Sequence, residues 1–206
     1  GEGHGEGRGE GPGGGPAAGR RPWTEPARRP ILAAPGPRVG RKGVTMRKIG
    51  ILGGGNVGAT AAFIAAERDL GDVAVYDIME GVPAGKALDM TQAGPVFGYD
   101  ARVTGSHDPA ILKGSDVVIV AAGFPRKPGM DRMDLLKKNV EIARAAGRIV
   151  KEQAPGAVVI TVTNPLDVMT WVVQQTSGLE PSRVVGMAGI LDSARFRAFI
   201  AMELGV

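Results

Sequence analysis

The stretch KIGILGGGNVGAT, residues 48–60, decides the fold. It opens with a short apolar run that predicts a buried strand, and glycines at 53, 55 and 58 follow this run. A helical period then begins at Asn56. In a strand–turn–helix unit of this kind, Gly53 permits a tight turn, Gly55 lets a pyrophosphate approach the backbone, and Gly58 lets the helix pack closely on the strand. The stretch therefore predicts a dinucleotide-binding unit.

From Met46 onward the chain alternates short apolar runs with helical periods. The predicted strands are residues 48–53, 72–77, 101–106, 115–123, 157–164 and 183–189. The predicted helices are residues 56–70, 80–93, 134–153 and 192–205. Continuous Val and Ile runs separated by helices are typical of a parallel sheet covered on both faces. The predicted fold class is α/β, with a doubly wound parallel sheet of the Rossmann type.

Two of the predicted helices carry an apolar stripe that we expect to face the sheet. The positions that share one face are Val57, Ala61 and Ile64 in the first helix, and Leu136, Val140, Ala143 and Val150 in the third. Since aromatic residues make up only 4% of the chain, the core is expected to consist of Val, Ile, Leu and Ala.

A carboxylate ends the second predicted strand at Asp77, in the segment that follows the glycine-rich turn. A carboxylate at this place accepts hydrogen bonds from a ribose diol and repels a 2′-phosphate, so the sequence predicts NAD rather than NADP. A Walker-type loop is excluded, because Ala59 and Thr60 follow Gly58 where that loop needs a lysine. The predicted cofactor-binding residues of this region are Gly53, Gly54, Gly55, Asn56, Val57, Gly58 and Asp77.

Residues 1–45 differ in composition from the rest of the chain. They contain 13 of the 33 glycines and 7 of the 15 prolines, so we expect a disordered Gly/Pro/Arg-rich leader. They also contain eight Lys/Arg and four Asp/Glu, which is the whole excess of positive charge in the chain. Because residues 46–206 are balanced, no nucleic-acid partner is predicted. The position of Met46, at the start of the periodic sequence, suggests that the leader is not native to the protein.

The remaining composition excludes several classes of site. The absence of cysteine excludes disulfides, thiolate nucleophiles and cysteine metal sites. No run of eighteen apolar residues predicts a membrane span, and no His/Asp/Glu cluster has the spacing of a metal site. The leader lacks the apolar segment of a signal peptide, so a cytoplasmic location is expected.

Charged and polar residues follow the predicted strands at their carboxyl ends. Arg126 and Arg132 follow the fourth strand, Asn164 ends the fifth, and Asp192 and Arg195 follow the sixth. Ligands of open parallel sheets bind beyond the carboxyl ends of the strands. These five residues are therefore the candidates for a substrate site next to the cofactor.

Three of the segments that contain these residues resemble the lactate/malate dehydrogenase family: AAGFPRKPGMDRMDLL, ITVTNPLDVMT and VVGMAGILDSARFR. With the glycine-rich turn and Asp77, the resemblance covers essentially all of residues 46–206. It implies an NAD-binding domain over residues 46–190 and the start of a catalytic, substrate-binding domain over residues 191–206. Most of that second domain is expected to be missing from this chain.

The resemblance also implies a role for each candidate residue. Arg195 would bind the C1 carboxylate of a 2-oxo acid, and Arg126 would bind a second carboxylate. Arg132 would polarise the ketone as a catalytic residue, and the loop that holds both Arg126 and Arg132 would close as a lid. The other implied roles are substrate contact for Asn139 and Asn164, cofactor contact for Val162, Thr163 and Asn164, and, for the catalytic residue Asp192, orientation of a proton-relay histidine.

The implied activity is NAD-dependent interconversion of (S)-malate and oxaloacetate, because Arg126 stands where lactate-specific members of the family have a neutral residue. A lactate-type 2-hydroxy acid dehydrogenase and a non-catalytic NAD-binding module are the alternatives. The sequence contains only His4 and His107, and neither lies where the family has its proton-relay histidine. We therefore expect the full-length protein to be an enzyme, an oligomer of two or four subunits, and the given chain to be inactive.

Overall fold

The computed structural model of the protein describes residues 47–125, residue 129 and residues 131–206, and for Arg132 it describes the backbone. The predicted leader lies outside these residues. The strands are β1 Lys48–Leu52, β2 Asp72–Tyr76, β3 Val103–Ser106, β4 Val117–Val120, β5 Val158–Thr161 and β6 Val184–Gly186. The helices are α1 Asn56–Glu67, α2 Val82–Phe97, α3 Arg132–Gln153, α4 Leu166–Ser177 and α5 Ile190–Leu204, with 3₁₀ turns at Pro109–Leu112 and Pro181–Arg183.

The six strands form one parallel sheet in the order β3-β2-β1-β4-β5-β6. The chain runs outward from β1 in one direction through β2 and β3, and in the other direction through β4 to β6. This strand order is that of the Rossmann fold, and the predicted fold class is confirmed. The order reverses between β1 and β4, whose last residues, Leu52 and Val120, are paired. A ligand is expected in the crevice beyond this point.

Two separate clusters of buried side chains cover the sheet. Along β2, Val73 and Val75 belong to one cluster, whereas Ala74 and Tyr76 belong to the other. Because successive side chains of a strand point to opposite faces, the clusters lie on opposite faces of the sheet. Helices α1 and α2 contribute to the cluster of Val73, and α3 and α4 contribute to the other. The prediction that both faces are covered is confirmed.

Helix α1 turns a different face to the sheet from the one that its apolar stripe predicts. Val57 is 58% exposed and Ile64 is 41% exposed, so the predicted stripe is wrong at these two positions, whereas Ala61 packs against the core as predicted. The buried residues of α1 are the small ones, Gly58, Ala62, Ala65 and Ala66. Small side chains let a helix approach a strand closely, and this approach decides the orientation of α1.

Helix α3 buries the face that its stripe predicts. Ala143 and Val150 are each 1% exposed, and Leu136 and Val140 pack against the same cluster from its margin. Helix α2 extends to Phe97, beyond its predicted end at residue 93, and includes Pro95. In the described part of the chain, no helix combines the length and the apolar character needed to cross a membrane.

Candidate active site

The first and third glycines of the turn between β1 and α1 are required by the fold itself. Gly53 has a φ of 107°, and a Cβ added there would overlap the backbone of Ala122 at the end of β4. A Cβ on Gly58 would overlap the carbonyl oxygen of Gly53. Both glycines therefore keep β1, β4 and the start of α1 at close range, which confirms the packing reason predicted for Gly58.

The second glycine, Gly55, is not required by packing within the protein. Its backbone has φ −64° and ψ −168°, which any residue can adopt, and a Cβ there would meet no atom within 4 Å. Gly55 is the N-cap of α1. In the described part of the chain, its N–H and those of Asn56 and Val57 have no protein acceptor. An open space in front of free N–H groups at a helix N-terminus fits a phosphate group.

A cavity of about 530 Å³ opens directly beside this edge. Its size is within the usual range of small-molecule sites, roughly 300–1,000 Å³. It lies beyond the carboxyl ends of β1, β4 and β5, where the sheet topology places a ligand. Its lining residues are Gly55, Asn56, Val57, Ala121, Gly123, Phe124, Pro125, Leu135, Asn139, Val162, Thr163 and Asn164. Six of the residues predicted from the sequence to bind cofactor thus line one cavity.

Asp77 is the residue directly after β2, and its carboxylate holds the glycine-rich turn. Oδ2 accepts a hydrogen bond from the N–H of Gly54 at 2.7 Å, and Oδ1 accepts one from the N–H of Met79 at 3.0 Å. An ionised carboxylate has about four acceptor positions, so two bonds leave capacity for hydroxyl groups. The side chain is half-buried, not a freely solvated group at a strand end.

The segment after β5 forms the opposite side of the cavity. The hydroxyl of Thr163 donates to the carbonyl of Ala122 at 2.7 Å, which ties the ends of β4 and β5 together. Val162 and Asn164 flank this buried threonine, and Asn164 is exposed. The peptide bond between Asn164 and Pro165 is cis. The structure thus brings all three predicted residues of this segment to the cavity.

Asn139 of α3 lines the cavity, but its amide already binds backbone groups. Its Oδ1 accepts from the N–H of Phe124 at 2.7 Å, and its Nδ2 donates to the carbonyl of Asn164 at 2.7 Å. The residue is 2% exposed. In this arrangement Asn139 fixes the segments after β4 and β5 with respect to each other. Its role in contacting substrate stays a prediction.

The predicted substrate arginines do not form a described cluster. Arg126 lies outside the described residues, and Arg132 is the first residue of α3. Arg195 Nη1 contacts Asp192 Oδ1 at 3.2 Å on the first turns of α5, with both side chains more than half exposed. Neither of these two residues is among those that line the cavity. Their roles therefore stay predictions.

Two tyrosines have pKa values above their ordinary range. Burial raises the pKa of Tyr76, and the carboxylates of Asp77 and Asp108 raise it further. Burial raises the pKa of Tyr99, with a smaller contribution from Glu67. Neither tyrosine lines the cavity, so neither is placed to exchange a proton with a ligand there.

Among the described residues, the histidines and acidic side chains add no further site. His107 is exposed in the turn after β3, and His4 lies outside the described residues. Among the residues that the structure describes, no group of three or more His, Asp or Glu side chains could hold a metal ion.

One contact at the glycine-rich turn was missed by the sequence reasoning. Lys86 of α2 donates from Nζ to the carbonyl of Gly54 at 2.6 Å. Gly54 is 32 residues away in the chain, so no local pattern signals the contact. The cavity residues that follow β4, such as Phe124 and Pro125, were missed as well, although their position at a strand end was a usable signal.

The fold and this cavity define a dinucleotide-binding domain of the class found in NAD-dependent dehydrogenases. Residues 47–186 match the family described as lactate/malate dehydrogenase, NAD binding domain. The chain belongs to this family, and the prediction of NAD as its cofactor is confirmed.

The similar proteins include both malate dehydrogenases and lactate dehydrogenases. A malate dehydrogenase of Methylobacterium radiotolerans is 54% identical over 159 residues, which are 77% of this chain and 50% of that protein. The solved malate dehydrogenase of Cryptosporidium parvum is 45% identical, with a TM-score of 0.76 over 79% of this chain and 52% of that one. A lactate dehydrogenase of the same organism, solved with lactic acid and the dinucleotide, is 47% identical, with a TM-score of 0.75 over 79% of this chain and 51% of that one. The chain spans about half the length of the curated relatives it matches.

Proposed function

We propose that the protein is an NAD-dependent malate dehydrogenase, which transfers a hydride between the nicotinamide and the C2 carbon of oxaloacetate or (S)-malate. The observation that carries the proposal is the cavity at the topological switch point. On one side of it are the N–H groups of Gly55, Asn56 and Val57, which have no acceptor among the described residues, and on the other is Asn164. The 54% identity to a malate dehydrogenase supports malate, whereas the solved malate and lactate dehydrogenases, at 45% and 47% identity, do not separate the two substrates by themselves. The choice depends on Arg126.

The cofactor half of the proposed site consists of described residues. The free N–H groups at the start of α1 would bind the pyrophosphate, favoured by the positive end of the helix dipole. Asp77 would accept hydrogen bonds from the adenosine ribose, and Val162 and Thr163 would contact the nicotinamide side. When bound, NAD supplies a hydride acceptor for oxidation of malate, and NADH supplies a hydride donor for reduction of oxaloacetate.

The substrate half of the proposed site depends on charge complementarity. Arg195 would bind the C1 carboxylate through two parallel hydrogen bonds, a geometry that lysine cannot reproduce. Arg126 would bind the second carboxylate, and Asn164 would contact the substrate. Arg132 would stabilise the alkoxide that develops at C2 as the hydride arrives. Asp192 would orient the histidine that then donates a proton to that oxygen.

The test of this proposal is a comparison of substrates with the protein as it occurs in its source. We expect NADH oxidation, followed by absorbance, to be much faster with oxaloacetate than with pyruvate at equal concentration. Faster turnover of pyruvate would favour the lactate-type alternative. Binding of NADH without turnover of either 2-oxo acid would favour a non-catalytic module.

Exchanging Asp77 for Asn is expected to weaken the discrimination between NAD and NADP. The amide keeps an acceptor for the N–H of Gly54 but removes the negative charge that repels a 2′-phosphate. We expect the ratio of the two dissociation constants, measured by NADH and NADPH fluorescence titration, to narrow on the order of tenfold, or ~1.4 kcal/mol. The control is Asp89→Asn, which removes the same charge from an exposed position of α2. An unchanged ratio would exclude Asp77 from the ribose site.

We also propose that residues 46–206 by themselves bind NAD but turn over little malate. The role implied for Asp192 is to orient a proton-relay histidine. The histidine that the structure describes, His107, is instead exposed in the turn after β3. The expected result is quenching or enhancement of NADH fluorescence on binding, without malate-dependent NADH formation. A clear malate-dependent rise in NADH absorbance from this segment would contradict the proposal.

The remaining expectations are not decided by the fold. Association into dimers or tetramers and a cytoplasmic location stay predictions.

A further inference from the structure

Asp77 and Lys86 each form a hydrogen bond with one of the two backbone polar groups of Gly54. The N–H of Gly54 donates to Asp77 Oδ2 at 2.7 Å, and the carbonyl of Gly54 accepts from Lys86 Nζ at 2.6 Å. Gly54 is buried, and Lys86 is half-buried on α2. Both bonds involve a charged partner, which makes them stronger than hydrogen bonds between neutral groups. The two peptide units next to Gly54 are thus fixed by groups of opposite charge.

The lysine bond determines the direction of the next N–H group. The peptide unit that joins Gly54 and Gly55 is planar and trans, so its carbonyl and its N–H point in opposite directions. Holding the carbonyl of Gly54 against Lys86 therefore turns the N–H of Gly55 away from α2. Gly55 lines the cavity, and its N–H has no acceptor in the described part of the chain.

We propose that Lys86 is a positioning residue for cofactor binding, which acts through the Gly54 carbonyl to aim the Gly55 N–H at the pyrophosphate. Three consecutive glycines, Gly53 to Gly55, have unusual backbone freedom, so this peptide unit can rotate without such a bond. After such a rotation the carbonyl oxygen of Gly54, in place of the N–H of Gly55, would face the anionic pyrophosphate. A lysine is suited to this role because its ammonium group carries only hydrogen-bond donors, so no acceptor on it repels the carbonyl oxygen of Gly54.

This inference rests on the NAD-binding function, and its test separates the two. Lys86→Met keeps the apolar stem and removes the donor, Lys86→Arg keeps a charged donor, and Lys151→Met removes one positive charge from an exposed position of α3. The ligands are ADP, which contains the pyrophosphate, and adenosine, which does not. Dissociation constants are measured by isothermal titration calorimetry on the whole protein.

We expect Lys86→Met to weaken ADP binding at least about tenfold and adenosine binding less than about threefold. Lys86→Arg is expected to recover most of the affinity for ADP, and Lys151→Met to leave both ligands unaffected. The loss in Lys86→Met should persist at about 0.5 M NaCl, because a half-buried hydrogen bond is screened less than a distant charge. A loss that disappears in salt, or one that affects adenosine equally, would overturn the inference.

A second measurement uses the unaltered protein and does not depend on the folding of a variant. In amide NMR spectra, ADP should shift the Gly55 resonance strongly, and adenosine should shift it little. An unperturbed Gly55 resonance in the presence of saturating ADP would overturn the inference. If the unaltered protein binds neither ADP nor NAD, the proposed function itself fails; if it binds both and Lys86→Met binds ADP equally well, only the role of Lys86 fails.

Discussion

Replacing Gly58 with Ala is expected to destabilise the domain by about 3 kcal/mol or more, and Gly55→Ala to leave its stability nearly unchanged. The Cβ at position 58 would overlap the carbonyl of Gly53, which is backbone and cannot move aside without shifting α1 from the sheet. The Cβ at position 55 would meet no protein atom within 4 Å. The free energy of unfolding, measured by urea denaturation, checks both expectations.

Gly55→Ala, which should leave stability nearly unchanged, is expected to weaken NADH binding. We expect Gly55→Ala to lose at least about tenfold in affinity, because its methyl group would occupy the open space that the pyrophosphate needs. Gly85→Ala is a matched control, since a Cβ at that helical position also meets no atom within 4 Å and lies away from the cavity lining. Normal NADH affinity in a folded Gly55→Ala variant would place the pyrophosphate elsewhere.

If the proposed activity holds, Arg126→Gln is expected to lower kcat/KM for oxaloacetate about thirtyfold or more and to improve the relative use of pyruvate. The loss of one partner in a buried pair of guanidinium and carboxylate costs ~2–5 kcal/mol, and pyruvate has no second carboxylate to leave unpaired. Steady-state rates of NADH oxidation with the two 2-oxo acids measure the change in preference.

The control for this variant is Lys127→Gln, which removes one positive charge from the next position in the sequence. Lys127→Gln should change kcat/KM for oxaloacetate and for pyruvate to a similar, small extent. If Arg126→Gln also leaves the ratio of oxaloacetate to pyruvate unchanged, Arg126 does not bind the second carboxylate, and the preference for a dicarboxylate loses its basis.

Much of the fold could be predicted from sequence because its signals are local. Apolar runs predicted the six strands, and the glycine-rich turn with Asp77 predicted a dinucleotide-binding unit at the start of the sheet. The face of α1 could not be predicted in this way. Its Val57 and Ile64 are the more hydrophobic residues, yet the tight packing of Gly58 on Gly53 turns the small side chains toward the sheet.

Part of the cavity lining was predictable from the same local signals, and the long-range contacts were not. Gly55, Val162, Thr163 and Asn164 lie at strand ends that the topology brings to one cavity. The bond from Lys86 to Gly54 depends on how α2 packs across 32 residues of sequence, and no periodicity encodes it. The roles of Arg195 and Asp192 came from a resemblance, and their exposed pairing on α5 does not test them.

The central claim is that three guanidinium groups and a dinucleotide meet around one dicarboxylate. A crystal structure of the complete protein with NADH and a non-reactive dicarboxylate analogue of oxaloacetate tests it most directly. We predict the pyrophosphate within hydrogen-bond distance of the Gly55 N–H, and the side chains of Arg126, Arg132 and Arg195 in contact with the analogue. The account would be contradicted by a complex in which these three arginines point to separate regions of the surface.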